Sequence, residues 1–264
     1  MKPLVVNELS KNFGGLQALD RVSLSLEEGD RRAIIGPNGA GKTTFFHLIS
    51  GVLSPTSGRV YLFDHDVTRM PMHRRTAMGM ARTFQVTNLF PKLTLMKNLV
   101  LALQGLEPSK FSMLRPVTSY HRILSRAEEL LEQWQLLDKR DAVVRDLSYG
   151  DQRKIEILMA MAQQPKLLLL DEPTAGLSSV ETISVVNVVQ SLPADVTILL
   201  IEHDMDVAFE LVNNITVLHM GKVVASGSCQ DIRSNALVQE IYLGAKEGEI
   251  ASKTHVSKKQ YEPA

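Results

Sequence analysis

The stretch that decides the fold reads Gly36-Pro37-Asn38-Gly39-Ala40-Gly41-Lys42-Thr43, and it follows an apolar run from Arg32 to Ile35. It fits G-x-x-x-x-G-K-[ST] at every fixed position and leads into a helical pattern, Lys42 to Ile49. Glycines let successive backbone N–H groups curve around phosphate oxygens, and the N-terminus of a helix adds partial positive charge. A strand, a glycine-rich loop and a helix in this order predict a binding site for the phosphates of a nucleotide.

Outward from this loop, strand-like and helix-like segments alternate along the chain. The apolar runs of strand length are Leu4–Leu9, Val22–Leu26, Leu167–Leu170, Val196–Ile201 and Ile215–His219. Two of them are followed by helical patterns, Ser178–Gln190 and Met205–Val212. Continuous apolar strands separated by helices predict an α/β fold with a mostly parallel sheet that is covered on both faces.

The middle of the chain has a different pattern. From about Val86 to Leu147 no run indicates a buried strand, whereas Thr94–Leu103 and Tyr120–Leu136 have helical periodicity. We interpret residues 86–147 as a helical subdomain inserted into a core that comprises residues 1–85 and 148–244. Residues 245–264 are polar and have no periodic apolar face, so we expect a poorly ordered C-terminal tail.

Composition argues against several classes of protein. The 264 residues include 29 Lys and Arg against 29 Asp and Glu, so the net charge is zero and no nucleic-acid partner is expected. The single cysteine, Cys229, has no partner for a disulfide, which is typical of a reducing compartment. No apolar run approaches the roughly 18 residues of a membrane span, and the N-terminus has no signal-peptide pattern.

Four side chains near the predicted phosphate site supply the chemistry of phosphoryl transfer. Lys42 provides a cation for the β- and γ-phosphates, and the Thr43 hydroxyl can coordinate Mg²⁺. Asp171 and Glu172 end the apolar strand Leu167–Leu170, and ligands of open parallel sheets bind at the carboxyl ends of strands. There, Asp171 can hold Mg²⁺ and Glu172 can orient or deprotonate the attacking water.

Further motifs make residues 4–244 resemble the nucleotide-binding subunit of an ABC transporter. Leu147-Ser148-Tyr149-Gly150-Asp151 is similar to the LSGGQ signature, although Tyr149 and Asp151 depart from it. Gln85 resembles the Q-loop glutamine, and His203 resembles the switch histidine. Ala175–Ser178 occupies the place of the D-loop, where Ser178 stands in the position of a common aspartate. Phe13 resembles the aromatic residue that stacks on adenine.

The resemblance implies a P-loop ABC-type ATPase core with an N-terminal antiparallel β part and a helical subdomain that leads into the signature helix. The residues it implies for ATP are Phe13, Gly36, Pro37, Asn38, Gly39, Ala40, Gly41, Lys42, Thr43, Thr44, Ser148, Gly150 and Asp151. The residues it implies for catalysis are Glu172, His203, Gln85 and Lys42, and those for Mg²⁺ are Thr43, Gln85 and Asp171.

The resemblance also implies partners and a location. Proteins of this kind form head-to-tail dimers with an identical or paralogous ATPase subunit, so that Ser148 and Gly150 contact the ATP held by the other subunit. Two polytopic membrane permease subunits complete the transporter, together with a solute-binding protein in an importer. The expected location is therefore the cytoplasmic face of the inner membrane, as a peripheral subunit.

Several short stretches rank the possible functions. Arg82–Gln85, Asn88–Phe90, Ile201–Met205 and the ending Glu240–Gly244 resemble the ATPases of branched-chain amino acid importers. We therefore favour an importer of branched-chain amino acids or of related small amides such as urea. The alternatives are the ATPase of a lipid or lipopolysaccharide exporter, a non-transport ABC ATPase of DNA repair or translation, and a regulatory module that binds nucleotide without hydrolysis.

Overall fold

The computed structural model describes residues 1–83, 89–105 and 121–242. These residues form two compact units: the first contains Met1–Met70 and the described part of Ile201–Ala264, and the second contains Pro71–Leu200. Gln85 and the expected tail from residue 245 lie outside the described residues. The proposed boundaries of the helical subdomain, at residues 86 and 147, stay a prediction.

The first unit begins with an antiparallel sheet. Strands β1 (Leu4–Phe13) and β2 (Leu16–Leu26) form a hairpin in which Leu4 pairs with Leu26. On its other edge β1 pairs with β4 (Ser57–Leu62), and β4 pairs with the short β5 (His65–Asp66), so the strand order is β2-β1-β4-β5. This sheet is the antiparallel part that the resemblance implies.

A second group of strands in the first unit carries the phosphate loop. Strand β3 (Arg31–Ile35) is parallel to β9 (Asn214–His219), which is antiparallel to β10 (Lys222–Ser228). The helices of this unit are α1 (Lys42–Ser50), α7 (Met205–Leu211) and α8 (Cys229–Arg233), and residues 236–242 are also helical. Helix α1 follows β3 directly after the loop, as the sequence predicts.

The second unit contains strands β6 and β7 and all but the last residue of β8; the three are hydrogen-bonded in the order β8-β7-β6, and β6 and β7 are parallel. These strands are β6 (Met80–Arg82), β7 (Leu167–Asp171) and β8 (Thr197–Ile201). Its helices are α2 (Met72–Ala77), α3 (Leu95–Gln104), α4 (His121–Gln133), α5 (Tyr149–Met161) and α6 (Ser179–Gln190). Two short 3₁₀ helices, Leu137–Lys139 and Val144–Asp146, precede α5. The two units therefore confirm an α/β fold with both parallel and antiparallel strands.

Helices α3, α4 and α5 of the second unit share a hydrophobic core. Leu99 of α3, Leu131 of α4 and Ile155 of α5 are fully buried in it. Because apolar residues recur on one face of each helix, burying these faces together stabilises three helices that would be marginal alone. Within the described ranges no helix has both the length and the apolar character needed to cross a bilayer.

Candidate nucleotide-binding site

The phosphate loop requires glycine at both of its ends. Gly36 has φ 154°, and a Cβ atom there would lie 2.1 Å from the Leu218 carbonyl oxygen. Gly41 has φ 103°, and a Cβ atom there would lie 2.7 Å from the Ala18 carbonyl oxygen. Any larger residue would meet backbone atoms at these positions as well as an unfavourable dihedral angle. The two glycines of the motif are thus needed for the shape of the loop.

Helix α1 begins at Lys42, at the end of this loop. The Lys42 ammonium group donates hydrogen bonds to the carbonyl oxygens of Gly36 (2.5 Å) and Pro37 (3.1 Å). No side chain caps the N-terminus of α1, and its first turn contains no acidic residue. The partial positive charge of the helix terminus is therefore not offset by an acidic side chain of its own first turn, which suits a phosphate group.

The remaining loop residues differ in exposure. The exposed ones are Asn38, Gly39 and Thr43, those of intermediate exposure are Pro37, Gly41 and Thr44, and Gly36, Ala40 and Lys42 are buried. The Thr43 hydroxyl is thus on the solvent side of the first turn of α1, where an oxygen ligand could reach a nucleotide-bound cation.

Phe13 ends strand β1 and is 46% exposed. It pairs with Leu16 across the hairpin turn, and the Lys11 ammonium nitrogen lies 5.1 Å from its ring centroid. A large aromatic ring that is left half exposed on a rigid hairpin offers a flat surface to a base. The position of Phe13 is compatible with adenine stacking.

His203 follows strand β8 and has a side chain that is 57% exposed. Its Nδ1 atom lies 3.8 Å from a carboxylate oxygen of the fully buried Glu202. The Glu202 backbone N–H donates to the Ile34 carbonyl oxygen (3.4 Å), and Ile34 belongs to the strand that leads into the phosphate loop. These contacts fix the backbone before His203 next to β3.

Asp171, at the end of β7, forms a buried ion pair that the sequence analysis did not predict. Its Oδ2 atom lies 2.6 Å from Nη2 of Arg82, and both side chains are 3% exposed. The Asp171 backbone N–H also donates to the Thr83 hydroxyl (3.3 Å). The predicted magnesium ligand is therefore held by the two residues that precede the segment containing Gln85.

Glu172 has a left-handed backbone conformation, with φ 47°. For a residue with a Cβ atom this conformation costs about 1–2 kcal/mol, and such strain is concentrated at functional sites. The turn directs the chain away from β7 immediately after Asp171. Asp171 therefore ends the strand in an extended conformation, whereas the next residue, Glu172, has a left-handed one.

The signature residues form the start of helix α5. Ser148 is its N-cap, and the Ser148 hydroxyl accepts a hydrogen bond from the Asp151 N–H (3.1 Å). The Asp151 carboxylate pairs with Lys139 (2.6 Å) and lies 3.6 Å from Lys154. Burial acts to raise the pKa of Asp151, but its hydrogen bond to Lys139 and the charges of both lysines lower it below its ordinary value on balance. The departure from glutamine at this position therefore links the first turn of α5 to the 3₁₀ helix Leu137–Lys139.

Tyr149, the other departure from the signature, packs against the helix it begins. Its hydroxyl accepts a hydrogen bond from Arg153 (2.7 Å), and Arg153 also pairs with Glu156 (2.8 Å). A Cβ atom at Gly176 would lie 3.4 Å from the Tyr149 ring. The larger side chain thus fills space between the first turn of α5 and the D-loop segment.

Ser178 caps helix α6 through a reciprocal capping box with Glu181. The Glu181 carboxylate accepts hydrogen bonds from the Ser178 N–H (3.0 Å) and hydroxyl (2.7 Å), and its other oxygen accepts from the Gly150 N–H (3.0 Å). The Ser178 hydroxyl, then the Gly150 and Ser178 N–H groups, lower the pKa of Glu181. A serine in place of the D-loop aspartate therefore serves as a helix cap.

The structure brings some predicted residues together within each unit. Phe13, the phosphate loop and His203 lie in the first unit, whereas Asp171, Glu172 and the signature residues lie in the second. The sequence analysis did not predict the contacts of Arg82 and Glu181.

The spacing Ser178-x-x-Glu181 is a capping-box pattern, so the capping role of Glu181 could have been predicted from the sequence. Its contact with Gly150 could not have been predicted in this way.

Comparison with known proteins identifies the group to which these features belong. The sequence pattern of the ABC transporter family matches residues 19–175, which contain the phosphate loop, the signature and the Asp171–Glu172 pair. The chain belongs to the ABC transporter family. This ABC ATPase subunit is 40% identical over 248 residues to the high-affinity branched-chain amino acid transport ATP-binding protein LivG of Escherichia coli K12, covering 91% of this chain and 97% of LivG.

Solved ABC cassettes have the same fold as this ABC ATPase. The ADP conformation of MJ1267, an ATP-binding cassette of an ABC transporter, matches with a TM-score of 0.83 and 31% identity over 92% of this chain and 99% of MJ1267. The dimeric post-hydrolysis state of the cassette MJ0796, bound to ADP and Pi, matches with a TM-score of 0.71 and 27% identity over 86% of this chain and 98% of MJ0796. The protein is an ABC ATPase subunit homologous to the ATPases of branched-chain amino acid importers.

Proposed function

We propose that this ABC ATPase hydrolyses ATP to drive an importer of branched-chain amino acids or of related small amides such as urea. The observation that carries the proposal is the 40% identity to LivG, which extends over 91% of the chain and is not confined to the ATP-binding motifs. A nucleotide site alone does not distinguish one transported molecule from another. The lipopolysaccharide export system ATP-binding protein LptB of Escherichia coli K12 matches over a similar share of the chain, 92%, but at 29% identity, so the higher identity to LivG favours this group of importers over that exporter.

The nucleotide would bind first to the first unit. The backbone N–H groups of residues 36–44 and the Lys42 ammonium group would hold the β- and γ-phosphates, and the Phe13 ring would stack on adenine. Stacking of a base on an aromatic ring contributes about 1–3 kcal/mol. The hydrogen bonds from Lys42 to the loop carbonyls hold the loop in its curved shape before nucleotide binds. On binding, Lys42 would exchange these hydrogen bonds for bonds to phosphate oxygens.

Hydrolysis would use Glu172, His203 and Gln85. The Glu172 carboxylate would orient the attacking water and accept its proton while the water oxygen bonds to the γ-phosphorus and the bond to the ADP oxygen breaks. His203 would donate a hydrogen bond to the γ-phosphate, and Gln85 would link the site to the helical subdomain. The products are ADP and inorganic phosphate.

Mg²⁺ would be held by oxygen ligands together with the phosphates. Among the described residues no group of three or more His, Cys, Asp or Glu side chains could hold a metal ion. Mg²⁺ bound with a nucleotide commonly needs only one or two protein ligands, because phosphates and waters complete its coordination. Mg²⁺ would take one or two protein ligands from among the Thr43 hydroxyl, Gln85 and the Asp171 carboxylate, and it would neutralise charge that develops on the phosphates.

The signature residues suit a second copy of an ABC ATPase. MJ0796 is dimeric with ADP and Pi bound, and we propose a similar head-to-tail dimer with an identical or paralogous subunit. Ser148 and Gly150, at the N-terminus of α5, would contact the γ-phosphate of the ATP held by the partner. Asp151 would act through its place in that first turn, since its carboxylate pairs with Lys139. Val180 and Ile183, exposed on α6, would be covered in the dimer.

Two polytopic permease subunits and a solute-binding protein would complete the importer. The ATPase would then lie at the cytoplasmic face of the inner membrane as a peripheral subunit. Its zero net charge and balanced acidic and basic residues are compatible with docking on protein, and nucleic acid is not an expected partner.

Reconstitution tests the proposed substrate class. The ATPase is expressed with candidate permease subunits and a candidate solute-binding protein, and uptake of labelled leucine and labelled urea is measured in membrane vesicles loaded with ATP. We expect one of the two solutes to enter and to stimulate phosphate release, with neither effect in a Lys42→Ala complex. An intact complex that hydrolyses ATP but transports neither solute would contradict the substrate assignment.

A further inference from the structure

The Glu181 carboxylate joins the start of helix α6 to the start of the signature helix α5. One carboxylate oxygen accepts hydrogen bonds from Ser178, and the other accepts the Gly150 N–H at 3.0 Å. Gly150 and Glu181 are 31 residues apart in the sequence, so this contact is tertiary. The capping box therefore extends to a third group, the backbone amide of a signature residue.

The close approach also explains why position 150 is glycine. A Cβ atom at Gly150 would lie 2.8 Å from Cγ and 2.9 Å from Cβ of Glu181. Those distances are shorter than carbon atoms tolerate, so any side chain at position 150 would displace Glu181. The neighbouring position has no such restriction, and a tyrosine occupies it.

A second capping box lies at the start of helix α8, away from the signature residues. Ser228 and Asp231 form a capping box at α8, in which the Asp231 carboxylate accepts from the Ser228 N–H (3.0 Å) and hydroxyl (2.7 Å). Both of these hydrogen bonds to the Asp231 carboxylate come from Ser228, which belongs to the same capping box. Asp231 is therefore a matched control for the capping function of Glu181.

We propose that Glu181 is a positioning residue that occupies the Gly150 amide until ATP on a second subunit takes its place. This inference rests on the proposed head-to-tail dimer, in which the same N–H group turns towards a γ-phosphate. One N–H group cannot donate a full hydrogen bond to two anions, and a carboxylate beside a phosphate repels it. Glu181 thus holds the signature helix in order in the isolated subunit and opposes association of two ATP-bound subunits.

Replacement of the Glu181 carboxylate by the γ-phosphate at the Gly150 amide affects the affinity between subunits. A symmetric dimer contains two signature sites. The hydrogen bond between Gly150 and Glu181 must therefore break twice each time that a dimer forms. A ligand shifts an equilibrium only by its differential affinity for the two states, so the carboxylate raises the ATP concentration at which the dimer forms. Removing its charge should lower that concentration.

The test uses the full chain with Glu172→Gln, so that bound ATP is not hydrolysed. Dimer formation is followed by sedimentation velocity as ATP is titrated, with and without Glu181→Gln. Glutamine retains the capping box, because Gln also serves at its third position, but it removes the competing charge. We expect the half-maximal ATP concentration to fall about tenfold or more, which matches the lower end of the contribution of a hydrogen bond to a charged group.

Asp231→Asn in the same background is the control, and we expect it to leave the half-maximal ATP concentration unchanged. An unchanged or higher value for Glu181→Gln would overturn the inference, as would an equal shift in the Asp231→Asn protein. If the Glu172→Gln protein itself binds ATP but does not dimerise, the proposed dimer fails, and the inference fails with it. The two failures are distinguishable. A failure of the inference alone appears only in the comparison of the Glu181 and Asp231 variants, whereas a failure of the proposed dimer appears already in the Glu172→Gln protein.

A second measurement tests the contact in the isolated subunit. Hydrogen exchange of the Gly150 amide in the nucleotide-free protein is followed by nuclear magnetic resonance. We expect exchange to become several times faster in Glu181→Ala, while Asp231→Ala leaves it unchanged. If Gly150 exchanges at the same rate with and without the Glu181 carboxylate, the carboxylate does not occupy the amide and the inference is wrong.

Discussion

At the scale of single residues, the carboxylates that end β7 have different environments. Asp171 is buried with Arg82, whereas Glu172 has intermediate exposure and a left-handed backbone. The first environment holds the Asp171 side chain in place through its contact with Arg82. The second leaves part of Glu172 open to solvent, which is compatible with its proposed contact with the attacking water.

Replacing Glu172 by glutamine tests its proposed role in hydrolysis. The amide keeps the size of the side chain but cannot accept a proton from water, and loss of a general base commonly lowers turnover about 100-fold or more. We expect ATP binding to be retained and phosphate release to fall by that factor. Nucleotide titration and a phosphate-release assay measure the two properties separately.

Lys42→Ala provides the contrast, since it removes the cation that would bind phosphate and should weaken ATP binding itself. Turnover of Glu172→Gln close to that of the unchanged protein would contradict the assignment of the base.

Arg82→Met tests the buried ion pair with Asp171. Removing one partner of a buried pair leaves an uncompensated charge, which typically lowers the free energy of unfolding by about 3–5 kcal/mol. Urea unfolding measures the loss. Arg126→Met is the control because Arg126 pairs with Glu129 at the surface, where such a pair contributes about 1 kcal/mol or less. Equal losses for the two variants would show that the Arg82–Asp171 pair contributes no more than a surface pair.

At the scale of elements, helix α5 is fastened at its first turn by several contacts. Ser148 caps it, Lys139 holds Asp151, and Glu181 accepts the Gly150 N–H. The first turn of a helix has four N–H groups without helical partners, so side chains and ligands compete for them. The signature helix therefore begins at a point where ordering contacts already use the Gly150 N–H group that the proposed phosphate contact would need.

The Asp151–Lys139 contact predicts a pH dependence of stability. Folding lowers the pKa of Asp151, so the stabilisation is fully present above its ordinary pKa of 3.8 and is lost as pH falls through the lowered value. We expect Asp151→Asn to lower the free energy of unfolding by about 1 kcal/mol at neutral pH, and by progressively less in acid. Urea unfolding between neutrality and the acid limit measures this difference.

The control for this prediction is Asp146→Asn, because Asp146 and its partner Arg145 are both well exposed. That variant should change stability little at any pH. A penalty for Asp151→Asn that stays constant in acid would show that Lys139 does not hold the ionised carboxylate.

The strands differ in how well the sequence predicts their positions. The buried strands β7 and β8 are continuous apolar runs, and their predicted positions agree with the structure within one residue. The sequence does not predict strands β4, β5, β6 and β10, of which β5 has only two residues. Strand β6 has three residues, β4 contains Gly58 at φ 87°, and β10 is only half buried, so none has a strong pattern. Their pairing with neighbouring strands determines them, and pairing is not encoded in local periodicity.

At the scale of the whole molecule, the fold and family agree with the resemblance seen in the motifs. The chain covers 97% of LivG and 99% of MJ1267, so the similarity extends over the whole length of both relatives. Its transport function depends on other chains, which is why a substrate is proposed from similarity and tested by reconstitution. An ATP site by itself supplies free energy but no recognition of a transported solute.

The sequence by itself determined the α/β fold, the phosphate loop, the carboxylate pair and the family, because these depend on spacings within a few residues and on the period of apolar side chains. Only the tertiary structure decided what those groups contact. Arg82 meets Asp171 across 89 residues and Glu181 meets Gly150 across 31, and no local pattern marks either pair. Such contacts arise when strands and helices pack, so they become visible only in the folded chain.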